Sequence, residues 1–191
     1  MKLLKLSCDN PKFKTINFKS GLNIIAGLQI TEEERKTING IGKSLSLNII
    51  HYILGAKLDK NSKIKKHLET YGIFTLIILH DNKEYIIKKD FSKTYYYLND
   101  IQYDLQNYLK ELTNLVFKTT SEISFRQLFN CFARRYETGK NYYTNYLTQQ
   151  GLSDNDFQQM KSNFVLLGID IKLINEYAEN KEKITELKKA S

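Results

Sequence analysis

The sequence predicts an α/β fold, a mixed sheet with β-hairpins and flanking helices. A strand pattern, Leu22-Asn23-Ile24-Ile25-Ala26-Gly27, runs toward a glycine-containing loop, and a helix pattern, Leu45 to Leu54, leaves it. Two hairpin patterns lie between Ile73 and Tyr103, and from Asp104 onward the periodicity is helical.

The elements follow in order. Lys2 to Leu6 reads as a short edge-like strand and Thr15 to Phe18 as a second, with Ser20-Gly21 turning the chain into the strand at Leu22. Leu45, Leu47, Ile49, Ile50, Ile53 and Leu54 leave little polar face, so their helix is expected to be buried against a sheet and to stop at Gly55. Asp59 to Lys66 reads as a basic, polar connection. Ile73 to Leu79 is a continuous apolar run rich in β-branched residues, hence a buried strand. Asp81-Asn82-Lys83 turns it into Glu84 to Lys88, and Tyr95 to Tyr103 forms a second hairpin around Asn99-Asp100. The adjacent Tyr95, Tyr96 and Tyr97 alternate between faces of a strand, so at most two share a surface. That favours packing over base stacking. Asp104 can cap a helix to about Val116, and a further helix covers about Phe125 to Arg135, with Phe125, Leu128, Phe129 and Phe132 on one face. Gly139 to Gln150 is irregular. A helix begins at Ser153 to Asp156 and ends near Gly168. Leu173, Tyr177, Asn180, Ile184 and Leu187 then follow heptad spacing over about two heptads, which fits the start of a coiled coil or an amphipathic terminal helix.

The loop itself is Asn39-Gly40-Ile41-Gly42-Lys43-Ser44. A glycine loop with Gly-Lys-Ser between a strand and a helix is the context of a phosphate-binding loop. Glycines let successive backbone N–H groups turn toward a polyphosphate, and the helix N-terminus adds partial positive charge. Lys43 would reach the β- and γ-phosphates of ATP, and the Ser44 hydroxyl would ligate Mg²⁺. The first glycine of the usual motif falls at Thr37, so residues 28–38 read as an insertion. The competing reading is a chance Gly-Lys-Ser in a surface turn.

Composition sets the frame. A chain of 191 residues with 41% hydrophobic content suffices for one domain with an appendage: residues 1–170, then a helix over 171–191. Lys and Arg number 29 against 21 Asp and Glu, a net +8 that points to an anionic partner, nucleic acid being the commonest. Cys8 and Cys131 have no metal-ligand spacing and no disulfide framework, which fits a reducing cytosol. No apolar run reaches the ~18 residues of a membrane span. A cytoplasmic protein with no membrane partner is expected.

This order of parts resembles the N-terminal half of the ATPase head of SMC-like proteins, the ABC-type group that includes RecN- and RecF-like ATPases. Two N-terminal strands lead into Asn-Gly-x-Gly-Lys-Ser, and hairpins, helices and a coiled-coil entry follow. Asn163-Phe164-Val165-Leu166-Leu167-Gly168-Ile169-Asp170 is similar to a stretch before the coiled coil in a bacterial subgroup found near defence genes. The resemblance implies a P-loop NTPase lobe of ABC/SMC type ending in the start of a coiled coil. It implies ATP and Mg²⁺ as cofactors, and a role in genome maintenance or antiviral defence. Asn39 to Ser44 would bind nucleotide, with Lys12 and Lys14 beside it. Gln127 would sense Mg²⁺ and the attacking water, unless it is an ordinary helix residue. Arg126, Arg134 and Arg135 would face DNA or phosphate, a solvated helix face being the equal alternative. Partners would be DNA, a second head in a homodimer, and an accessory protein.

The family's Walker B Asp-Glu pair and Ser-Gly-Gly signature do not occur after Ser44. In the family both belong to a C-terminal half beyond the coiled coil, so this chain reads as half of a head with little hydrolysis of its own. Two other classes compete. A self-sufficient small P-loop enzyme, a nucleotide kinase or GTPase, would need an Asp-Glu strand or an Asn-Lys-x-Asp motif. A non-catalytic DNA-binding or scaffold module would carry a vestigial loop.

Overall fold

The structure is a computed structural model that describes residues 1–26, 42–59, 61–119, 123–133 and 156–190. The chain divides into two compact units, Met1–Leu112 and Thr113–Ser191.

The first unit is built on a six-stranded sheet: β1 (Lys2–Cys8), β2 (Ile16–Asn17), β3 (Ile73–His80), β4 (Lys83–Asp90), β5 (Tyr96–Leu98) and β6 (Ile101–Tyr103), in the order β2-β1-β3-β4-β5-β6. Every pair is antiparallel, so among the described residues the sheet is antiparallel where a mixed one is expected. A parallel pair needs a crossover between strands, and the strand that would have used one is absent. Residues 22–26 form no strand. Leu22 and Ile24 are 87% and 77% exposed, and Asn23 bonds locally instead, donating to the carbonyls of Lys19 at 2.9 Å and Gly21 at 3.0 Å. Gly27 lies outside the described residues.

β1 is interior, not an edge, because β2 pairs on one side of it and β3 along the other, with Leu6 opposite Leu76. Both side chains are fully buried, as are Phe74, Ile78 and Ile87 on the same face. Each such burial contributes about 1.5–3 kcal/mol. β3 is buried on one face only, since Ile73 is exposed and Thr75 and Ile77 are half-buried. Its apolar run overstates its burial. Both hairpins use two-residue turns with positive φ at each position: Asp81 and Asn82 at 48° and 59°, Asn99 and Asp100 at 48° and 64°. That conformation matches the twist of the flanking strands, and Asn and Asp tolerate it.

Helix α1 (Lys43–Ile53) packs against β3 and β4, burying Ile49, Ile50, Tyr52 and Ile53, while Leu47 stays exposed. The expected connection at Asp59 to Lys66 contains a helix instead, α2 (Lys63–Glu69). Ser62 caps it by accepting from the Lys65 N–H at 3.1 Å, and Leu68 buries its inner face. Helix α3 (Leu105–Phe117) is capped as expected, with Asp104 accepting from the Asn107 N–H at 2.9 Å. Tyr108 stacks on Tyr96 at 4.5 Å and donates to the Ile53 carbonyl at 2.9 Å, locking α3 to α1.

Gly72 closes the turn before β3 at φ 140°, where a Cβ would collide with Asp9 Oδ1 and approach Cys8 Sγ at 3.1 Å. The Asp9 carboxylate accepts from the Ile73 N–H at 2.7 Å. Gly72→Ala therefore strains the backbone and displaces that carboxylate, an expected loss of about 2–4 kcal/mol. Urea unfolding measures it, and a loss below about 0.5 kcal/mol, the scale of a neutral surface change, would contradict this account.

Thr113–Ser191 holds the end of α3 with α4 (Phe125–Asn130), α5 (Asp156–Leu166) and α6 (Lys172–Ala190). Phe125 and Leu128 are buried, and Phe125 stacks on Phe129 at 5.3 Å. α4 stops at Asn130, five residues short of the expected end, and Phe132 is exposed instead of lying on the buried face. Gly168 follows α5 with φ 71°. Leu173, Tyr177, Ile184 and Leu187 of the heptad pattern lie exposed along α6, while Ile174 is buried. No helix among the described residues is long and apolar enough to cross a membrane.

Candidate functional site

α1 begins at Lys43, directly behind Gly42 in the left-handed conformation at φ 82° and ψ 9°. A glycine is suited to this entry because the conformation penalises a Cβ. Among the described residues no side chain caps the helix, and its first turn carries no acid. The Gly42 carbonyl accepts from the Ser46 N–H and the Ser46 hydroxyl, both at 2.8 Å, which fixes the first turn. A helix start of this kind presents N–H groups and the positive end of the helix dipole to an incoming anion. Among the described residues, nothing lies within 4 Å of where a Cβ on Gly42 would stand. Ser44 is exposed at the mouth of the turn. These residues fit a phosphate, and the Ser44 hydroxyl fits one ligand position of Mg²⁺. Among the described residues, no group of three or more His, Cys, Asp or Glu could hold a metal ion.

Asn39, Gly40 and Ile41, the insertion over 28–38, and Arg134 and Arg135 lie outside the described residues, as does the Lys43 side chain. Lys12 and Lys14 are exposed on the loop between β1 and β2, either side of Phe13. The Phe13 ring meets Phe74 edge-on at 5.4 Å and Tyr71 at 6.5 Å, which holds this loop on the core.

Gln127 belongs to the second unit and forms the capping box of α4. Its Oε1 accepts from the Ser124 N–H and hydroxyl, both at 3.0 Å, while Ser124 Oγ accepts from the Gln127 N–H at 3.3 Å. Its Nε2 donates to Gln158 at 3.4 Å. The structure thus places Gln127 as a helix-capping residue. The Ser-x-x-Gln spacing that signals this box is visible in the sequence at Ser124 to Gln127.

Comparison with protein-family models and with curated proteins finds no match.

Sequence reasoning missed Lys89, because a lysine in an alternating strand ordinarily points to water. It is 5% exposed. Its Nζ donates to the carbonyls of Lys93 at 2.6 Å and Tyr95 at 3.0 Å, and sits 4.2 Å from the Tyr96 ring centroid. Burial lowers its pKa from 10.5 to about 8, against the opposing pull of Asp90 and with a small push from Lys65. A neutral amine still offers two N–H donors to the two carbonyls. Because the folded pKa lies below the unfolded one, the unfolded chain binds more protons between them, and stability rises with pH across that window. The expected gain between pH about 8 and 9.5, below the tyrosine range, is about 1–2 kcal/mol. Urea unfolding across this range tests it, with Lys89→Met as control. A parent slope no steeper than the variant's would rule the assignment out.

Proposed function

We propose that this chain is the ATP-binding half of an SMC-like, ABC-type ATPase head, a P-loop lobe that couples ATP to DNA binding in genome maintenance or antiviral defence. The observation that carries the reading is the start of α1. A helix with no first-turn acid, and with no side-chain cap among the described residues, follows left-handed Gly42 within Asn-Gly-x-Gly-Lys-Ser. In this reading the backbone of Asn39 to Ser44 cradles the phosphates, Lys43 neutralises the β- and γ-phosphates, and Ser44 holds Mg²⁺. Bound ATP and Mg²⁺ supply a phosphoanhydride bond and the cation that offsets its charge. Gln127 acts on Mg²⁺ only if its amide leaves the capping box. Arg134 and Arg135 are proposed to meet DNA. A C-terminal half bearing Walker B and signature residues, a second head and an accessory protein complete the cytoplasmic assembly. The exposed apolar Leu22 and Ile24, on a segment with a strand pattern, support a sheet finished by residues of that other half.

One observation favours a second reading, a non-catalytic DNA-binding or scaffold module with a vestigial loop: residues 22–26 do not form the strand that normally feeds a phosphate loop. Calorimetric titration of the chain with ATP in Mg²⁺ decides between them. Saturable binding supports the nucleotide reading, and no heat of binding at millimolar ATP leaves the vestigial loop.

A further inference from the structure

The structure joins two basic segments that are far apart in sequence. Asn10 Nδ2 donates to the Tyr71 carbonyl at 2.7 Å, and the Phe13 ring lies 6.5 Å from Tyr71. Tyr71 in turn lies 5.2 Å from the His67 ring of α2. This row of rings links the loop carrying Lys12 and Lys14 to α2 through His67. There Lys63, Lys66 and Thr70 follow i, i+3, i+7 spacing, beside exposed His67. Of the acids on these segments, Glu69 is ion-paired with Lys65 at 3.0 Å, while Asp9 and Asp59 accept from backbone N–H groups, Asp9 Oδ1 from that of Ile73 at 2.7 Å and Asp59 Oδ1 from that of Asn61 at 3.0 Å. Four lysines of one sign are left facing solvent from two braced elements.

We infer that this surface binds the phosphate backbone of duplex DNA through Lys12, Lys14, Lys63 and Lys66. Lysines act as point charges on phosphates, and each contact releases condensed counterions. The rings beside them argue for a duplex over single strands. Tyr71 stacks on Phe74 at 5.8 Å, and Phe13 packs edge-on against both, so these rings are committed to the core and leave no platform for an unstacked base. The inference rests on the DNA-binding arm of the reading above and is independent of its nucleotide arm. It assigns Lys12 and Lys14 to DNA in place of ATP.

Fluorescence anisotropy with a short mixed-sequence DNA duplex, the full chain and no nucleotide, at about 50 to 200 mM salt, tests it. Lys12→Gln/Lys14→Gln and Lys63→Gln/Lys66→Gln each remove two phosphate contacts. Each pair is expected to reduce the slope of log K against log salt by about 1.8 and the affinity by tenfold or more at about 0.1 M salt. Lys83→Gln, at the β3–β4 turn, is expected to change neither, and circular dichroism checks that every variant is folded. Unchanged slopes in both double variants overturn the inference. So does an equal loss in Lys83→Gln, tighter binding of duplex RNA or single strands, or no DNA binding by the parent. Calorimetry with ATP in Mg²⁺ on the same variants separates the two arms. Unchanged ATP affinity in Lys12→Gln/Lys14→Gln is expected, and a drop with DNA binding intact returns these lysines to the nucleotide. A parent that binds DNA but not ATP sinks the nucleotide arm alone.

Discussion

Lys43→Ala is expected to weaken ATP binding ten- to hundredfold in the presence of Mg²⁺. The substitution removes the one full charge that the Gly-x-Gly-Lys-Ser spacing directs at the β- and γ-phosphates. It leaves Gly42 and the α1 N-terminus in place, and alanine is the best helix former, so α1 is retained. A lost charge-assisted hydrogen bond costs about 1.5–3 kcal/mol, which converts to that fold-change. Titration calorimetry of parent and variant reads it. Equal affinities would falsify the phosphate-loop assignment, because a binding site elsewhere on the chain would be indifferent to residue 43.

ATP turnover by the 191-residue chain is expected to lie orders of magnitude below the ~1–100 s⁻¹ typical of phosphoryl-transfer enzymes such as kinases. Phosphoryl transfer relies on positioning and charge stabilisation from a Mg²⁺-holding acid, a group that orients the attacking water, and a contact to the γ-phosphate. The proposed reading assigns only the loop and Ser44 to this chain, and Gln127 is occupied in the α4 capping box. Adding a C-terminal half with an Asp-Glu pair and a Ser-Gly-Gly signature is expected to restore turnover, and Lys43→Ala to abolish the restored rate. Steady-state phosphate release measures both. Fast turnover by the isolated chain that Lys43→Ala eliminates would show a self-sufficient P-loop enzyme instead.

Local chemistry made much of the fold legible. The turn at Asp81-Asn82 and the turn at Asn99-Asp100 are written in residues that accept positive φ, and the hairpins they join form as read. Asp104 caps α3 because its carboxylate reaches an N–H three residues on, a contact within one turn of chain. At the candidate site, the apolar pattern from Leu45 to Leu54 placed a helix directly after the glycine loop, and α1 begins two residues earlier, at Lys43.

Other features depended on what lies across the fold. Leu22 to Ala26 has the apolar pattern of a strand, but a strand needs neighbours to take its backbone hydrogen bonds, and none is described. β1 looked like an edge and is interior because β2 pairs on one side of it and β3 along the other. Ile73 to Leu79 read as a buried strand, and only the face of Phe74, Leu76 and Ile78 is fully buried. Lys89 is a surface residue by type, and two carbonyls and the Tyr96 ring make it a core one.

The sequence by itself determined the two hairpin turns, the Asp104 cap of α3 and a helix leaving the glycine loop, all of which close within a few residues through backbone and short polar side chains. The tertiary structure alone decided sheet order, which apolar faces are covered, the burial of Lys89, and the packing of Phe13 and His67 against Tyr71. Those outcomes depend on contacts between residues far apart in the chain, where hydrophobic burial is non-directional and no local pattern names the partner.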